Sequence, residues 1–467
     1  MIFLTDDQSW ADTSVFGSPD MPTPNMKRLA QNGMTFNRAY VASPSCAPSR
    51  AALLTGLWPA RNGAMFNHQY PERAAKKWPD YFKELGYEVV AIGKVAHYAQ
   101  VQRYDFDHSS HFTYHQDICI DEAIKWLSAR KSAKPLCFMV GTNWPHVPWP
   151  KEGILDPAKV HLPPMLVDTP ETRNAWSRYA AAIANADRDL GKVYDATRKI
   201  LGEDTFFLFT ADHGAQFPFH KWNCYNGGLR TPLIVSWPGH VAKNTRTDAL
   251  VSWIDILPTA LEVTGATPPP VAVKKGAIDG RSFLPVLRGE TTAHRDTIHA
   301  THSGDGRMNE YPIRAAIEGR YKYIRNLAPG AEFHSHVDMA ENSNAYWPSW
   351  PQKAKTDAKA SATVARYFHR PAEELYDIEA DPYDLNNLVN DPASAAILAS
   401  LRVKVDAWME SIGDKGLPTE REFKQAKFQA DQQQNAKKQN TKKQDGRKQD
   451  GKKKNAKKKN AKKQNDN

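Results

Sequence analysis

The chain has little cysteine and no long apolar run, and both shortages exclude classes of protein. Its 467 residues contain four widely spaced cysteines and no Cys-x-x-Cys pair, so we expect no required disulfide. No apolar run approaches the ~18 residues that a membrane span needs, and no membrane-spanning segment is predicted. Thirteen tryptophans and a hydrophobic fraction of 41% instead indicate a globular protein with a substantial core.

A signal peptide is also not visible, because the core-strand pattern Ile2–Thr5 begins at once. Two interpretations of this start remain open. As written, the sequence predicts a cytoplasmic protein. If the true start lies upstream, a periplasmic or secreted protein is expected.

Net charge is nearly absent from most of the chain and is concentrated at one end. Residues 431–467 contain fourteen Lys and Arg and four Asp, so their net charge is +10, the same as the net charge of the whole chain. This low-complexity segment has too little apolar surface to offset chain entropy, so we predict a disordered basic tail over residues 419–467. The tail is either a binder of polyanions or a solvated segment without a specific partner.

Strand and helix patterns alternate over residues 1–290, which predicts an α/β sandwich with a large, mostly parallel sheet between helices. Residues 291–418 predict a smaller α+β subdomain with an antiparallel sheet, since two strand patterns flank Gly319 and Arg320. Residues 337–365 are polar and Ala-rich and predict a surface excursion. The predicted strands are Ile2–Thr5, Glu88–Ile92, Leu136–Gly141, Thr205–Thr210, Leu233–Ser236, Ile313–Glu318 and Tyr321–Arg325; the predicted helices are Pro24–Asn32, Ser49–Thr55, Asp117–Ala129, Asn174–Ile200, Ile254–Val263 and Ala393–Ser411.

Acidic pairs follow two of the predicted strands. Asp6 and Asp7 come directly after the first strand, and Asp212 and His213 follow a later one. Ligands of open α/β sheets bind at the carboxyl ends of strands, so these side chains are expected to converge. Three carboxylates and an imidazole predict a site for Ca²⁺, with Mg²⁺ as the alternative. The competing interpretation of Asp6-Asp7 is a helix cap or turn.

The run Cys46-Ala47-Pro48-Ser49-Arg50 opens a predicted helix that Gly56 can close. A lone cysteine is most often a small buried apolar residue. At a helix amino terminus, however, Cys46 would lie where backbone N–H groups favour an anion. Within the longer stretch Ser43–Gly63, the pattern Cys-x-Pro-x-Arg resembles the signature of the type I, formylglycine-dependent sulfatases.

This resemblance implies an alkaline-phosphatase-like fold and a cysteine that a maturation enzyme oxidises to formylglycine. The formylglycine at position 46 would be the nucleophile and would also bind the metal. Arg50 would orient it. The implied metal ligands are the side chains of Asp6, Asp7, Cys46, Asp212 and His213.

Further motifs resemble the family in the same order along the chain. Gly93-Lys94-Val95-Ala96-His97 implies that Lys94 binds sulfate and that His97 takes the proton that releases sulfate. Pro145-His146-Val147-Pro148 implies that His146 binds sulfate or protonates the leaving group. Lys221, in the run from Lys221 to Arg230, would hold a sulfate oxygen.

Other segments resemble the N-sulfoglucosamine sulfohydrolase branch. These are Arg61–Gln69, Tyr311–Arg314 and Arg366–Asp377, and His302 would reach the sugar. Two residues depart from that branch. His213 stands where the branch typically has Asn, and the resulting Asp-His pair resembles that of the iduronate-2-sulfatases. Lys221 stands where the branch typically has Arg. The expected substrate is therefore a sulfated oligosaccharide or polysaccharide, with heparan-type N-sulfated glucosamine preferred.

Three alternatives remain open from the sequence. The chain is an O-sulfatase acting on another sulfated polysaccharide, or a phosphomonoester or phosphonate hydrolase of the same superfamily. The third alternative is a non-enzymatic polyanion binder that acts through the basic tail.

Overall fold

The computed structural model describes residues 1–112, 118–271, 277–305, 308–339 and 345–426. Residues 1–417 form one compact unit, and residues 418–467 are a second unit. The disordered tail is predicted to begin at residue 419, whereas residues 417–426 are helical, and residues 427–467 lie outside the described residues. Asp117, the first residue of the predicted helix Asp117–Ala129, also lies outside them. Within the described part of the chain, no helix is both long and apolar enough to span a membrane.

Fourteen strands are found in the described residues. They are β1 (Ile2–Thr5), β2 (Met34–Phe36), β3 (Ala39–Tyr40), β4 (Glu88–Gly93), β5 (His108–Ser110), β6 (Leu136–Gly141), β7 (Phe207–Ala211), β8 (Leu233–Ser236), β9 (Thr245–Thr247), β10 (Val251–Ser252), β11 (Thr297–His302), β12 (Ile313–Glu318), β13 (Tyr321–Asn326) and β14 (Glu373–Asp377).

The same part of the chain contains twelve α-helices. They are α1 (Pro24–Gln31), α2 (Cys46–Thr55), α3 (Pro59–Asn62), α4 (Trp78–Glu84), α5 (Ile118–Ala129), α6 (Pro170–Leu201), α7 (Asn226–Leu229), α8 (Ile256–Val263), α9 (Leu284–Leu287), α10 (Ser349–Ala354), α11 (Ala358–Phe368) and α12 (Ala395–Ser411).

The main sheet has eight strands in the order β5-β4-β6-β1-β7-β8-β2-β9. Strands β5, β4, β6, β1 and β7 are neighbours and all parallel, whereas β8 runs antiparallel to both β7 and β2. The carboxyl ends of β4, β6, β1 and β7 therefore meet at one edge of the sheet. Buried side chains pack on both faces of this sheet, as the α/β prediction required.

A second, four-stranded antiparallel sheet has the order β11-β12-β13-β14. The hairpin predicted around Gly319 joins β12 to β13, and α12 packs Leu398, Leu401 and Val405 into the cluster that covers this sheet. The α/β architecture with a separate antiparallel sheet is thus confirmed.

Two predictions about local structure were wrong. Helix α2 begins at Cys46, as predicted from the position of Cys46 at a helix amino terminus, and the predicted start at Ser49 was too late, because a proline is tolerated anywhere in a first turn whose N–H groups have no helical partner. The segment 337–365 is not a simple surface excursion, since Tyr346 and Trp350 are fully buried. The Trp350 indole donates to Thr172 Oγ1 of α6 at 2.9 Å, which attaches this segment to the core.

Candidate active site

Charged residues converge where the four adjacent parallel strands end. Asp6 and Asp7 follow β1, Lys94 follows β4, and Asp212 follows β7. The turn after β4 needs glycine, because Gly93 has φ +83° and a Cβ there would lie 2.0 Å from the carbonyl oxygen of Gly141. This close approach of β4 to β6 brings Lys94 over the strand ends.

Cys46 lies at the amino terminus of α2 and faces this cluster. Its Sγ is 3.2 Å from His213 Nε2 and 3.8 Å from Asp6 Oδ1, and the side chain is buried. Burial would raise the pKa of the thiol, but the nearby charges of Lys221 and Lys94 outweigh it and lower the pKa to about 5. The position therefore favours an anionic group, which a structural cysteine does not need.

Four ligand-bearing side chains form a compact donor set. One ligand atom from each of Asp6, Cys46, Asp212 and His213 lies within 4.8 Å of the others, and all four residues are buried. Asp7, which also groups with Cys46 and His146, donates its N–H to Asp212 Oδ1 at 3.0 Å. These distances suit ligands around one cation, and the excess of carboxylate oxygens suits Ca²⁺ or Mg²⁺.

The protonation equilibria of two carboxylates support this fit. Burial raises the pKa of Asp7 to about 7, with Lys221 only partly offsetting it, and raises the pKa of Asp212 to about 6 despite Arg50. The charge of Asp6 raises both pKa values further. Burial also acts on Asp6, but Lys94 outweighs it and holds the pKa of Asp6 well below its usual range, so a divalent cation would supply the positive charge that Asp7 and Asp212 need to remain ionised beside it.

Three buried cations surround the carboxylates. Arg50 Nε donates to Asp212 Oδ2 at 2.9 Å, and Lys94 Nζ forms an ion pair with Asp6. Lys221 Nζ lies 2.8 and 3.0 Å from the two carboxylate oxygens of Asp7. A sulfate group entering the site would therefore meet two lysines whose ammonium groups are already positioned and desolvated.

The predicted histidines differ in how closely they approach the cluster. His146 Nε2 lies 3.8 Å from Asp7 Oδ2, and the charges of Lys94 and Asp6 also act on buried His97. His302 is separate: its ring lies against Trp222 and Phe333, at centroid distances of 6.3 Å each. His302 therefore lies beside Trp222, and no direct contact to the carboxylates is seen among the described side chains.

Several residues around the site have left-handed backbone conformations that are costly for non-glycine residues. Asp7 has φ +66° and Trp222, next to Lys221, has φ +71°. His68 and Tyr98 are likewise left-handed, with φ +70° and +51°. Such strain persists only where the surroundings impose it, and here it clusters beside the charged residues.

The sequence alone gave no role to three residues that support the site. Asn67 Oδ1 accepts the N–H of Ala47 at 3.0 Å and so fixes the first turn of α2. His68 Nδ1 is hydrogen-bonded to His97 Nε2 at 2.7 Å, and Lys94 Nζ lies 4.4 Å from the centre of the Tyr98 ring. Asn67 and His68 lie in the stretch that resembles the N-sulfoglucosamine sulfohydrolase branch, which was the available signal.

Comparison with known proteins agrees with this geometry. The Sulfatase family model matches residues 1–266, more than half of the chain, and the model for the C-terminal part of N-sulphoglucosamine sulphohydrolase matches residues 213–347. An ulvan-active sulfatase of Formosa agariphila is 28% identical, with 89% of this chain and 80% of the relative covered. Human N-sulphoglucosamine sulphohydrolase is 25% identical, with 87% and 89% covered.

Solved structures share the fold. One, determined with its substrate D-glucosamine-2-N,6-O-disulfate, has a TM-score of 0.65 at 19% identity and covers 89% of this chain and 98% of its own. The phosphonate monoester hydrolase of Agrobacterium radiobacter has a TM-score of 0.65 at 17% identity and covers 88% and 95%. At these identities the likeness establishes an alkaline-phosphatase-like architecture and nothing finer.

Proposed function

We propose, from the premise that the chain belongs to the sulfatase family, that it removes sulfate from N-sulfated glucosamine in heparan-type glycans. As a family member it is a hydrolase of sulfate esters or sulfamates, and sulfated glycans are its substrate class. The finer substrate and the mechanism below are our proposal.

One observation carries the mechanism. Cys46, at a helix amino terminus, has its sulfur beside the Asp6, Asp212 and His213 donor set, and the pKa of its thiol is lowered chiefly by Lys221 and Lys94. The sulfur marks where the oxygens of an oxidised residue 46 would lie. The nucleophile, the cation site and the two ammonium groups would therefore all lie close to the sulfate group of a bound substrate.

Two groups that the chain acquires complete the site. Residue 46, once oxidised to formylglycine by a maturation enzyme, supplies a hydrated aldehyde as nucleophile, and Ca²⁺ or Mg²⁺ supplies Lewis-acid stabilisation of charge. The residues that would hold the cation are Asp6, Asp7, Asp212, His213 and the modified residue 46.

The remaining roles belong to side chains of the chain itself. Lys94 and Lys221 bind the negatively charged sulfate oxygens and stabilise them while the nucleophile attacks sulfur. His146 is neutral in the empty site and takes up a proton only beside the negative charge of a bound substrate, which lets it protonate the leaving nitrogen or oxygen, and His97 takes the proton whose removal releases sulfate. Burial, reinforced by Lys94, holds the pKa of both histidines well below the usual value. His97 therefore begins neutral, as a base must.

Two similarities support different sugars. The match of residues 213–347 to the N-sulphoglucosamine sulphohydrolase C-terminal model favours N-sulfated glucosamine. The ulvan-active relative favours an O-sulfated algal polysaccharide as the second candidate. We propose that His302, beside Trp222, is among the residues that bind the sugar.

The experiment is a comparison of sulfate release from glucosamine N-sulfate, N-acetylglucosamine 6-sulfate and ulvan oligosaccharides, with a phosphonate monoester as the superfamily control. The proposal expects kcat/KM to be highest for the N-sulfate. Preference for ulvan would retain the family and transfer the substrate to the second candidate. A deletion of residues 427–467 that weakens only polymeric substrates would support polyanion binding by the tail.

A further inference from the structure

His68 and His97 form a pair of imidazoles in which one ring is buried and the other is exposed. His97 Nε2 and His68 Nδ1 are 2.7 Å apart, and the ring centres are 4.6 Å apart at 65°. His97 is 5% exposed, whereas His68 is on the surface. One ring nitrogen of each histidine is therefore committed to this single hydrogen bond, which fixes the two tautomers together.

The other ring nitrogen of His97, Nδ1, is buried and has no hydrogen-bond partner in the described part of the chain. An unpaired buried polar atom needs an explanation, and beside an active site an absent ligand is one. Since Nε2 is occupied by His68, Nδ1 is the atom left to exchange a proton in the site.

The loop that presents His68 is held at several points. Asn67 donates its N–H to the Gly304 carbonyl at 2.9 Å, and Gln100 Nε2 donates to the His68 carbonyl at 2.9 Å. The left-handed backbone of His68, φ +70°, is thus imposed by its surroundings. A strained, well-anchored position that directs one nitrogen at His97 is more than a surface loop requires.

We propose that His68 is a positioning residue that accepts the Nε2–H of His97 and thereby leaves Nδ1 of His97 as the proton-free base. This inference rests on the proposed role of His97 in the sulfatase reaction. When sulfate is released, the free hydroxyl of the sulfated residue 46 gives its proton to His97 Nδ1, the carbon–oxygen double bond of the aldehyde forms, and the bond from that carbon to the sulfate oxygen breaks. The resulting imidazolium keeps donating its Nε2–H to His68 Nδ1, and water in the emptied site removes the proton afterwards. No other reactant is needed.

The charges around His97 agree with a neutral acceptor. After burial, Lys94 has the largest effect in holding its pKa down, with Arg50 and Lys221 acting in the same direction and Asp6 opposing them. His97 is therefore neutral before the reaction and has a tautomer to be fixed. A carboxylate partner would hold a proton on the ring, whereas the imidazole of His68 carries no negative charge and orients the ring without doing so.

Two substitutions separate this role from a structural one. His68→Gly suits the left-handed backbone and removes the acceptor. His68→Asn also suits that backbone, and its Oδ1 occupies the place of His68 Nδ1 on Cγ. His240→Gly removes a surface histidine that pairs with Asp204 and serves as the matched control.

We expect His68→Gly to lower kcat by about ten- to hundredfold at unchanged KM, as loss of an orienting partner typically does. Release of the leaving group in the first turnover should remain fast. His68→Asn should stay within about threefold of the unsubstituted enzyme, and His240→Gly should be unchanged.

A second readout does not require activity. In the full chain with residue 46 still cysteine, the ring ¹⁵N shifts of His97 should report the Nε2–H tautomer in the unsubstituted and His68→Asn proteins, and a mixture in His68→Gly. An unchanged tautomer and kcat in His68→Gly would overturn the inference, as would a His68→Asn defect equal to that of glycine. If the unsubstituted enzyme released no sulfate, the proposed function would fail, and the ¹⁵N shifts alone would decide on the tautomer.

Discussion

Buried carboxylates in two regions of this protein have pKa values shifted in opposite directions: downwards at Asp255, and upwards at Asp7 and Asp212. Asp255 accepts hydrogen bonds from the backbone N–H groups of Ser252 and Arg281 and from the side chains of His294 and Arg295. Burial would raise its pKa, but Arg295 outweighs that effect and the pKa lies well below its usual range. The chain itself satisfies this charge completely.

The cluster at the strand ends is left incomplete by comparison. Asp7 and Asp212 have pKa values raised to about 7 and 6, because burial and the charge of Asp6 are only partly offset by Lys221 and Arg50. Folding therefore disfavours their ionised forms. A carboxylate that serves stability is given its counter-charge by the fold, whereas these carboxylates lie where an added cation is needed.

The largest expected effect is the loss of activity, without loss of stability, when Cys46 is replaced. Cys46→Ala removes the nucleophile, so kcat/KM for sulfate release should fall by at least about 10⁴-fold. The melting temperature should stay within a few degrees, since only a small buried side chain is shortened. A variant that keeps a tenth of the activity would show that residue 46 is not the nucleophile.

The next effect compares the stability of the protein after substitution of Asp255 with that after substitution of a carboxylate at the strand ends. Asp255→Asn leaves Arg295 buried without its counter-charge and should cost about 3–5 kcal/mol in the free energy of unfolding. Asp212→Asn, measured by denaturant unfolding in excess chelator, should cost only about 1–2 kcal/mol, because folding already disfavours the Asp212 carboxylate and Arg50 keeps Asp6 and the Lys94 carbonyl as partners. Equal losses in the two variants would remove the distinction.

Cation binding should affect only the incomplete cluster. Ca²⁺ at a hundredfold excess over its Kd should stabilise the unsubstituted protein by about 2.7 kcal/mol, visible as a higher melting temperature. The same addition should do little for Asp7→Asn, while Asp255→Asn should keep the full increment. Calcium-independent melting of the unsubstituted protein would contradict a cation site here.

The smallest effect is the dependence of stability on pH. Because the folded pKa of Asp255 lies below the unfolded value of about 4, its contribution is fully present above that value and is lost as the pH falls towards the folded pKa. Asp255→Asn should therefore flatten the acid side of the stability profile below about pH 4. A profile parallel to that of the unsubstituted protein would show that Asp255 is not held ionised.

The sequence pattern predicted those features that depend only on residues close together in the chain. The strand Ile2–Thr5 followed by Asp6-Asp7 was predicted to the residue, because buried strands and the acidic groups behind them are adjacent in the chain. The burial of Trp350 was missed, since it depends on Thr172, 178 residues away. The His68–His97 pair was missed for the same reason, because no periodicity links a loop histidine to one 29 residues later.

The central claim is that residue 46 works as formylglycine and not as a thiol. The most direct test is mass spectrometry of the peptide containing residue 46, from protein made in a host that matures sulfatases, alongside sulfate release by the same preparation. The account predicts an aldehyde at residue 46, with sulfate release proportional to the aldehyde fraction. Full activity in protein that retains the Cys46 thiol would contradict it.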